Sequence, residues 1–271
     1  MDLLQKLKSG QNVYGTCFTS TAPGWPIVLK NAGLDFAFID TEHTALNRAD
    51  MAKMCQSVQA YGITPIVRIP SPDPYLACQC IDGGAKGVIA PYLESVEQIR
   101  ELVGATKFRP LKGEILQKVL NGDQELSVEM KAYLDNYNKG NICIANIESA
   151  PAMDKLEDLL NVPGLDAVFI GPHDLSISMG IPEQYDHPEF EKAVKHIIHT
   201  TRNKRLSIAI HFSLEPERQA KWVKEGANIV VHSTDRTLFS QKLNADISAI
   251  KRAVGDMAND DDAIREDVPV V

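Results

Sequence analysis

The chain has no Cys-x-x-Cys pair, no Gly-x-Gly-x-x-Gly loop and no P-loop. The last two absences weaken any nucleotide-binding reading. Its five cysteines, Cys17, Cys55, Cys78, Cys80 and Cys143, are odd in number, which suits free thiols in a reducing compartment. Cys78 and Cys80 stand two apart on an expected helix and face different sides, which argues against a shared metal there. No apolar run approaches membrane-spanning length. Residues 1–10 place Leu3, Leu4 and Leu7 among lysines without an apolar signal core. A soluble, cytoplasmic protein without membrane contact is expected. Basic runs are also missing: 28 Lys and Arg stand against 36 Asp and Glu, for a formal charge of −8. Nucleic acid is therefore not an expected partner.

What is present is alternation. Short apolar runs at Val13–Phe18, Phe36–Asp40, Thr64–Arg68, Gly87–Ala90, Asn141–Ile147, Ala167–Ile170, Leu206–Ile210 and Asn228–Val231 read as parallel strands buried on both faces. Helical spacing fills the stretches between them. Gly33, Gly62, Gly84 and Gly226 fall just before strands, where helices should end. Eight strand–helix units in 271 residues that are 44% apolar predict an α/β fold, the (β/α)8 TIM barrel. One domain over residues 1–255 is expected, followed by an acidic tail over 256–271 that carries Asp260, Asp261, Asp262, Glu266 and Asp267. One long insert, Thr106 to Gly140, interrupts the spacing. It is expected on the C-terminal side of the barrel, where long loops tend to be functional.

Strand ends carry the candidate chemistry. Phe169-Ile170-Gly171-Pro172-His173-Asp174-Leu175-Ser176 breaks from a strand into a helix start and brings a carboxylate and free backbone N–H groups to the sheet edge. Ile142 to Glu148 is a second apolar strand, and it ends on a glutamate. Glu148 and Asp174 have two readings: a pair of ligands for a hard cation such as Mg²⁺ or Mn²⁺, or core-edge carboxylates paired with Arg68. Asp40-Thr41-Glu42-His43 sets three titratable groups after the second strand. His43 is the candidate general base, with Asp40 and Glu42 to orient it. Arg68 ends the third strand, suited either to an ion pair with a neighbouring strand end or to stabilising an oxyanion. Asp82 lies near the end of the following helix. His211 and His232 end strands and read as polar plugs at the rim. No strand ends in lysine, which argues against Schiff-base chemistry.

Taken together, Phe38 to His43, Pro65 to Pro70, Ile147-Glu148 and Phe169 to Ser176 resemble the HpcH/HpaI aldolase family of class II, metal-dependent pyruvate aldolases, in order and with similar gaps from about Leu3 to Val254. The resemblance implies a (β/α)8 barrel in a homohexamer whose last helix is exchanged between partners. It implies a divalent cation (Mg²⁺, Mn²⁺ or Co²⁺) on Glu148 and Asp174, His43 as base, and Arg68 supporting charge on the reacting oxygens. Asp82 matches the carboxylate partner of the histidine, Asp40 and Glu42 the supporting shell, and Gly171, Pro172 and His173 the backbone that holds the pyruvate carboxylate. The implied substrates are pyruvate and an aldehyde.

Three positions depart from the family pattern: Cys17 for a tryptophan, Asn146 for a glutamine, and Arg109 to Glu114 where Gly-x-Arg-Gly is common. Glu114 in place of an arginine is expected to favour neutral or hydroxylated aldehydes, if it faces the site. Two alternatives stand beside the aldolase: a citrate-lyase β-like enzyme using a CoA thioester, with Lys107, Arg109 and Lys112 as the basic rim, and a catalytically inactive barrel used as a binding module.

Overall fold

A computed structural model describes residues 1–213 and 215–256. The expected acidic tail lies almost wholly outside the described residues. In chain order the elements are α1 (Leu3–Lys8), β1 (Val13–Cys17), α2 (Trp25–Asn31), β2 (Phe36–Asp40), α3 (Arg48–Ala60), β3 (Thr64–Arg68), α4 (Pro74–Asp82), β4 (Gly87–Ala90) and α5 (Val96–Lys107). Then come α6 (Gly113–Asn121), α7 (Val128–Tyr137), β5 (Ile142–Ile147), α8 (Ala150–Asp154), α9 (Leu156–Leu160), β6 (Ala167–Ile170) and α10 (Pro172–Ser178). The chain continues with α11 (Pro188–Asn203), β7 (Ser207–Phe212), α12 (Pro216–Lys224), β8 (Ile229–Thr234) and α13 (Asp235–Val254). The strands pair in parallel in sequence order and β8 closes on β1, so the (β/α)8 barrel is the fold.

Strand parity divides the core into two shells. Phe36, Phe38, Ile66, Ile89, Ile142, Ile144, Phe169 and Ala209 fill the barrel interior. Their neighbours Ala37, Ile39, Val67, Val88, Ile147, Val168, Ile170 and Ile208 pack outward against the helices. Gly15 leaves room for the interior ring of Phe36, because a Cβ there would collide with it. Helix α1 closes the N-terminal end. Asp2 caps it in a capping box with Gln5, and Leu3 and Leu7 join the interior cluster, each worth about 1.5–3 kcal/mol when fully buried. Gly33, Gly62, Gly84 and Gly226 all adopt positive φ, at 74°, 80°, 106° and 120°, as expected of chain reversals after helices.

The insert departs from expectation. In a barrel each helix runs antiparallel to its strand and returns the chain to the N-terminal face. The insert begins where α5 ends, so α6 and α7 lie on that face and not beside the mouth. Asp166, just ahead of β6, and Lys107 form an ion pair at 2.5 Å, and the Asn138 amide donates to the Arg109 carbonyl at 2.7 Å. Strands β7 and β8 run two and three residues further than their apolar runs suggest, because His211, His232 and Thr234 continue the ladder at the mouth.

Candidate active site

The two-residue period that buries Phe36 and Phe38 also carries Asp40 inward, and the period that buries Ile66 carries Arg68 inward. Asp40 and Arg68 are register partners across β2 and β3. Arg68 donates from Nε and Nη2 to the two Asp40 oxygens, both at 2.8 Å, and its Nε stands 3.1 Å from Glu42 Oε2. The pair is buried, at 1% and 8% exposure. Burial alone would raise the Asp40 carboxyl, but the Arg68 hydrogen bonds and charge outweigh it and hold the group below its usual range. The Asp40 oxygens also accept the backbone N–H groups of Glu42 at 3.1 Å and His43 at 3.4 Å. That closes the turn which presents His43, its Nε2 3.6 Å from Glu42 Oε2 and its side chain 43% exposed.

Glu148 stands across the mouth. By the parity of Ile142 and Ile144, both Asn146 and Glu148 face inward. Glu148 is fixed by the Tyr92 backbone N–H at 2.8 Å and the Asn146 amide at 2.5 Å. Burial pushes its carboxyl up to about 7; the Tyr92 N–H opposes this, while the charges of Asp174 and Glu42 add to it. Gly171 leaves the space beside it open, since a Cβ there would lie 2.5 Å from Glu148 Oε2. Pro172 opens α10 without needing an N–H, and Asp174 sits in its first turn.

Among the described residues no three His, Cys, Asp or Glu side chains form a ligand cluster by themselves. A hard cation held by two carboxylates, with water or substrate completing its shell, remains a fit. Glu148 is desolvated beside two further carboxylates, and the Oδ1 of Asn146, buried with no partner, offers an acceptor for bound water.

His43, Arg68, Gly171 and Asp174 open on one cavity of about 490 Å³. Its far wall holds residues that strand-end reasoning did not single out: Tyr185, Phe212 and Arg218. A signal existed for Arg218, because a helix opening at Pro216 directly after a strand must start at the mouth. His211 lies in the same wall, its ring edge-on to Phe38 with centroids 6.1 Å apart. His232 follows the outward parity of Val230, and its Nδ1 is buried with no partner.

Two expected participants stand elsewhere within this chain. Asp82 ends α4 on the N-terminal face and pairs with Arg109, so the structure does not bring it to His43. Glu114 is 80% exposed in α6 and pairs with Lys118 at 2.6 Å. It does not face the cavity, and the aldehyde preference expected from it loses its basis. Lys107 and Arg109 are committed on the same far side, which removes most of the basic rim proposed for CoA.

The HpcH/HpaI aldolase/citrate lyase family profile matches residues 25–241. The chain belongs to this family. It is 28% identical over 249 residues to a 2-keto-3-deoxy-L-rhamnonate aldolase of Salmonella gallinarum, covering 90% of this chain and 91% of the relative. Among solved structures, an HpcH/HpaI aldolase from Desulfitobacterium hafniense superimposes with a TM-score of 0.80 at 25% identity, covering 93% of this chain and 97% of that one. The citrate synthase SbnG superimposes with a TM-score of 0.80 at 28% identity, covering 94% and 99%. The HpcH/HpaI resemblance read from the strand-end residues therefore holds across the barrel.

Proposed function

We propose that the chain is a class II pyruvate aldolase, a carbon–carbon lyase that reversibly cleaves a 4-hydroxy-2-oxo acid to pyruvate and an aldehyde. The observation that supports this reading is that His43, the buried Arg68 guanidinium and Asp174 line one cavity at the C-terminal end of the barrel, with the buried Glu148 carboxylate close enough to feel the charges of Asp174 and Arg68. Family membership supports it, and the name of the Salmonella relative points to the same substrate class.

In this reading Glu148 and Asp174 hold a divalent cation, Mg²⁺, Mn²⁺ or Co²⁺. The bound cation supplies Lewis acidity toward the carboxylate and 2-oxo oxygens of the substrate. The backbone of Gly171, Pro172 and His173 cradles the substrate carboxylate. His43 takes the C4 hydroxyl proton. The C3–C4 bond then breaks, C4 becomes the aldehyde carbonyl, and the electron pair moves toward the C2 oxygen. Arg68 donates to the oxygen on which charge develops. Asp40 positions Arg68 by a bidentate pair, and Glu42 lies between Arg68 and His43. Protonation at C3 releases pyruvate. Asp82 retains a role at the histidine only if assembly brings a copy from a neighbouring subunit. A homo-oligomer, a hexamer by resemblance, is part of the same reading: α13 exposes Leu238, Phe239, Leu243, Ile247, Ile250 and Val254. The free cysteines support a cytoplasmic location as part of the same reading.

The test is proton exchange at the pyruvate methyl group, followed by NMR in deuterated buffer. Exchange should require Mn²⁺ or Mg²⁺, stop on chelation, and return with added cation. His43→Ala should lower retro-aldol kcat by about 10²–10⁴-fold. Absence of exchange with any of the three cations would leave the barrel as a binding module, and a borohydride-trapped pyruvate adduct on lysine would replace the mechanism.

A further inference from the structure

The cavity is larger than a three-carbon acid needs, and its two ends differ in chemistry. One end holds His43, Arg68, Gly171 and Asp174. The other is walled by Tyr185, from the loop between α10 and α11, and by Phe212 and Arg218, from the end of β7 and the start of α12. The Tyr185 and Phe212 rings meet edge to face, 5.5 Å between centroids. The Arg218 guanidinium lies over both, at 5.8 and 5.6 Å.

Arg218 is not free to clamp an anion. Its Nη1 and Nη2 donate to the two oxygens of Asp186 at 3.0 and 3.1 Å, and its Nε donates to Glu215 at 2.7 Å. A third carboxylate, Glu183, stands at the same rim beside His173, 3.3 Å away. Two carboxylates therefore hold the guanidinium, and a third lines the same cavity. Of the five N–H donors of an arginine, these bonds use three, so two can still donate to a neutral oxygen.

We propose that this far half of the cavity reads the aldehyde-derived end of the substrate, with Arg218 and the Tyr185–Phe212 wall accepting an uncharged, hydroxyl-bearing chain and the rim of Glu183, Asp186 and Glu215 rejecting a chain that ends in a carboxylate. The proposal rests on the aldolase reading above. A substrate carboxylate that reached the uncommitted N–H groups would lie against Asp186 and Glu215, which already neutralise Arg218, and like charges at such distances disfavour binding. A hydroxyl group meets no such penalty. It can accept from the uncommitted guanidinium N–H groups while the carbon chain packs on the aromatic faces. Specificity is thus assigned to the α10–α11 loop and the β7–α12 junction, carried by residues other than the insert's Glu114.

The test measures kcat/KM in the aldol direction, with pyruvate and Mn²⁺, for glyceraldehyde and for succinic semialdehyde. The ratio is taken within each protein, so a change in overall activity cancels. The wild type should favour glyceraldehyde by about tenfold or more. Joint replacement Asp186→Asn and Glu215→Gln leaves Arg218 with neutral partners and should lower the ratio by about tenfold, since one charge-assisted pair gained is of that size. Glu183→Gln, on a side chain 64% exposed and safe for folding, should shift the ratio in the same direction by a smaller factor. A wild type that prefers succinic semialdehyde overturns the proposal, as does a ratio that stays within twofold of the wild type's in both variants. Pyruvate methyl exchange in the wild type separates the two levels. Exchange without aldehyde discrimination sinks the subsite alone, whereas no exchange sinks the aldolase reading and the subsite with it.

Discussion

At the scale of single residues, parity decides which side chains can do chemistry. Asp40, Arg68, Asn146, Gly171 and His211 each continue an inward-facing series begun by a buried apolar residue, and their outward neighbours serve the helix layer instead. His211 pays the clearest cost for its place. Burial pushes its imidazole down to about 4, only partly opposed by its contact with the Ser233 carbonyl at 3.3 Å. The sign follows directly. Between pH 6.5 and 4 the unfolded chain binds a proton on His211 and the folded chain does not, so stability is intact above pH 6.5 and falls as pH drops through that window. The loss approaches about 3 kcal/mol near pH 4. Denaturant titrations of wild type and His211→Gln across pH 7 to 4 should show the two curves converge as pH falls; parallel curves would mean the imidazole protonates in the fold. Much of the site was legible, because strand-end Asp, Arg, Glu and Gly are conspicuous after apolar runs. Tyr185 and Arg218 were not, since their approach to the mouth depends on how a loop and a helix start fold over it.

At the scale of elements, the strands were legible because parallel strands buried on both faces are short continuous apolar runs, and helical apolar spacing filled most of the stretches between them. Short α2 carried too little periodicity, whereas α6 repeats Ile115, Leu116, Val119 and Leu120 at helical spacing inside the insert. The insert was placed on the wrong face because its length drew attention away from its position after α5, which alone fixes the end of the barrel it occupies. Elements are also tied across the mouth. Asp235, the first residue of α13, is 3% exposed and accepts from the Thr19 hydroxyl at 2.7 Å and from the backbone N–H groups of Thr19 and Ser20 at 3.2 and 2.8 Å. This carboxylate anchors the loop after β1 to the start of α13. Asp235→Ala leaves those donors without their acceptor and should destabilise the fold by about 2–4 kcal/mol, a drop of roughly 5–15 °C in Tm for a chain of this size. Asp235→Asn keeps one acceptor oxygen and should lose less. Thermal unfolding followed by circular dichroism reads both, and equal Tm values for Asp235→Ala and wild type would show that the tie adds nothing.

At the scale of the whole molecule, α13 exposes more large apolar side chains than any other helix among the described residues. Phe239, Leu243, Ile247, Ile250 and Val254 recur every three or four residues and are each 43% to 65% exposed, while among the helix's described residues only Asp235 and Thr237 are buried. A helix with an apolar stripe gains stability by covering it, and full burial of side chains of this kind is worth about 1.5–3 kcal/mol each. The exposed ends of such a stripe on a monomer also exceed the scattered apolar residues that a surface normally carries. A second copy of the chain is the occupant that the family resemblance implies, and the chain's charge of −8 makes a purely electrostatic association between copies unfavourable, so apolar contact must supply the attraction. Phe239→Glu with Ile250→Glu places two more negative charges in the middle of the stripe. The barrel should survive, because neither side chain packs into it, and the sedimentation coefficient should fall from that of an oligomer to that of a 29.9 kDa monomer with near-unchanged circular dichroism. Asp82 gives the same experiment a second reading. If a neighbouring subunit delivers that carboxylate to His43, monomerisation should lower retro-aldol kcat together with the sedimentation coefficient, whereas a monomeric variant of full activity would show that each barrel carries its complete site.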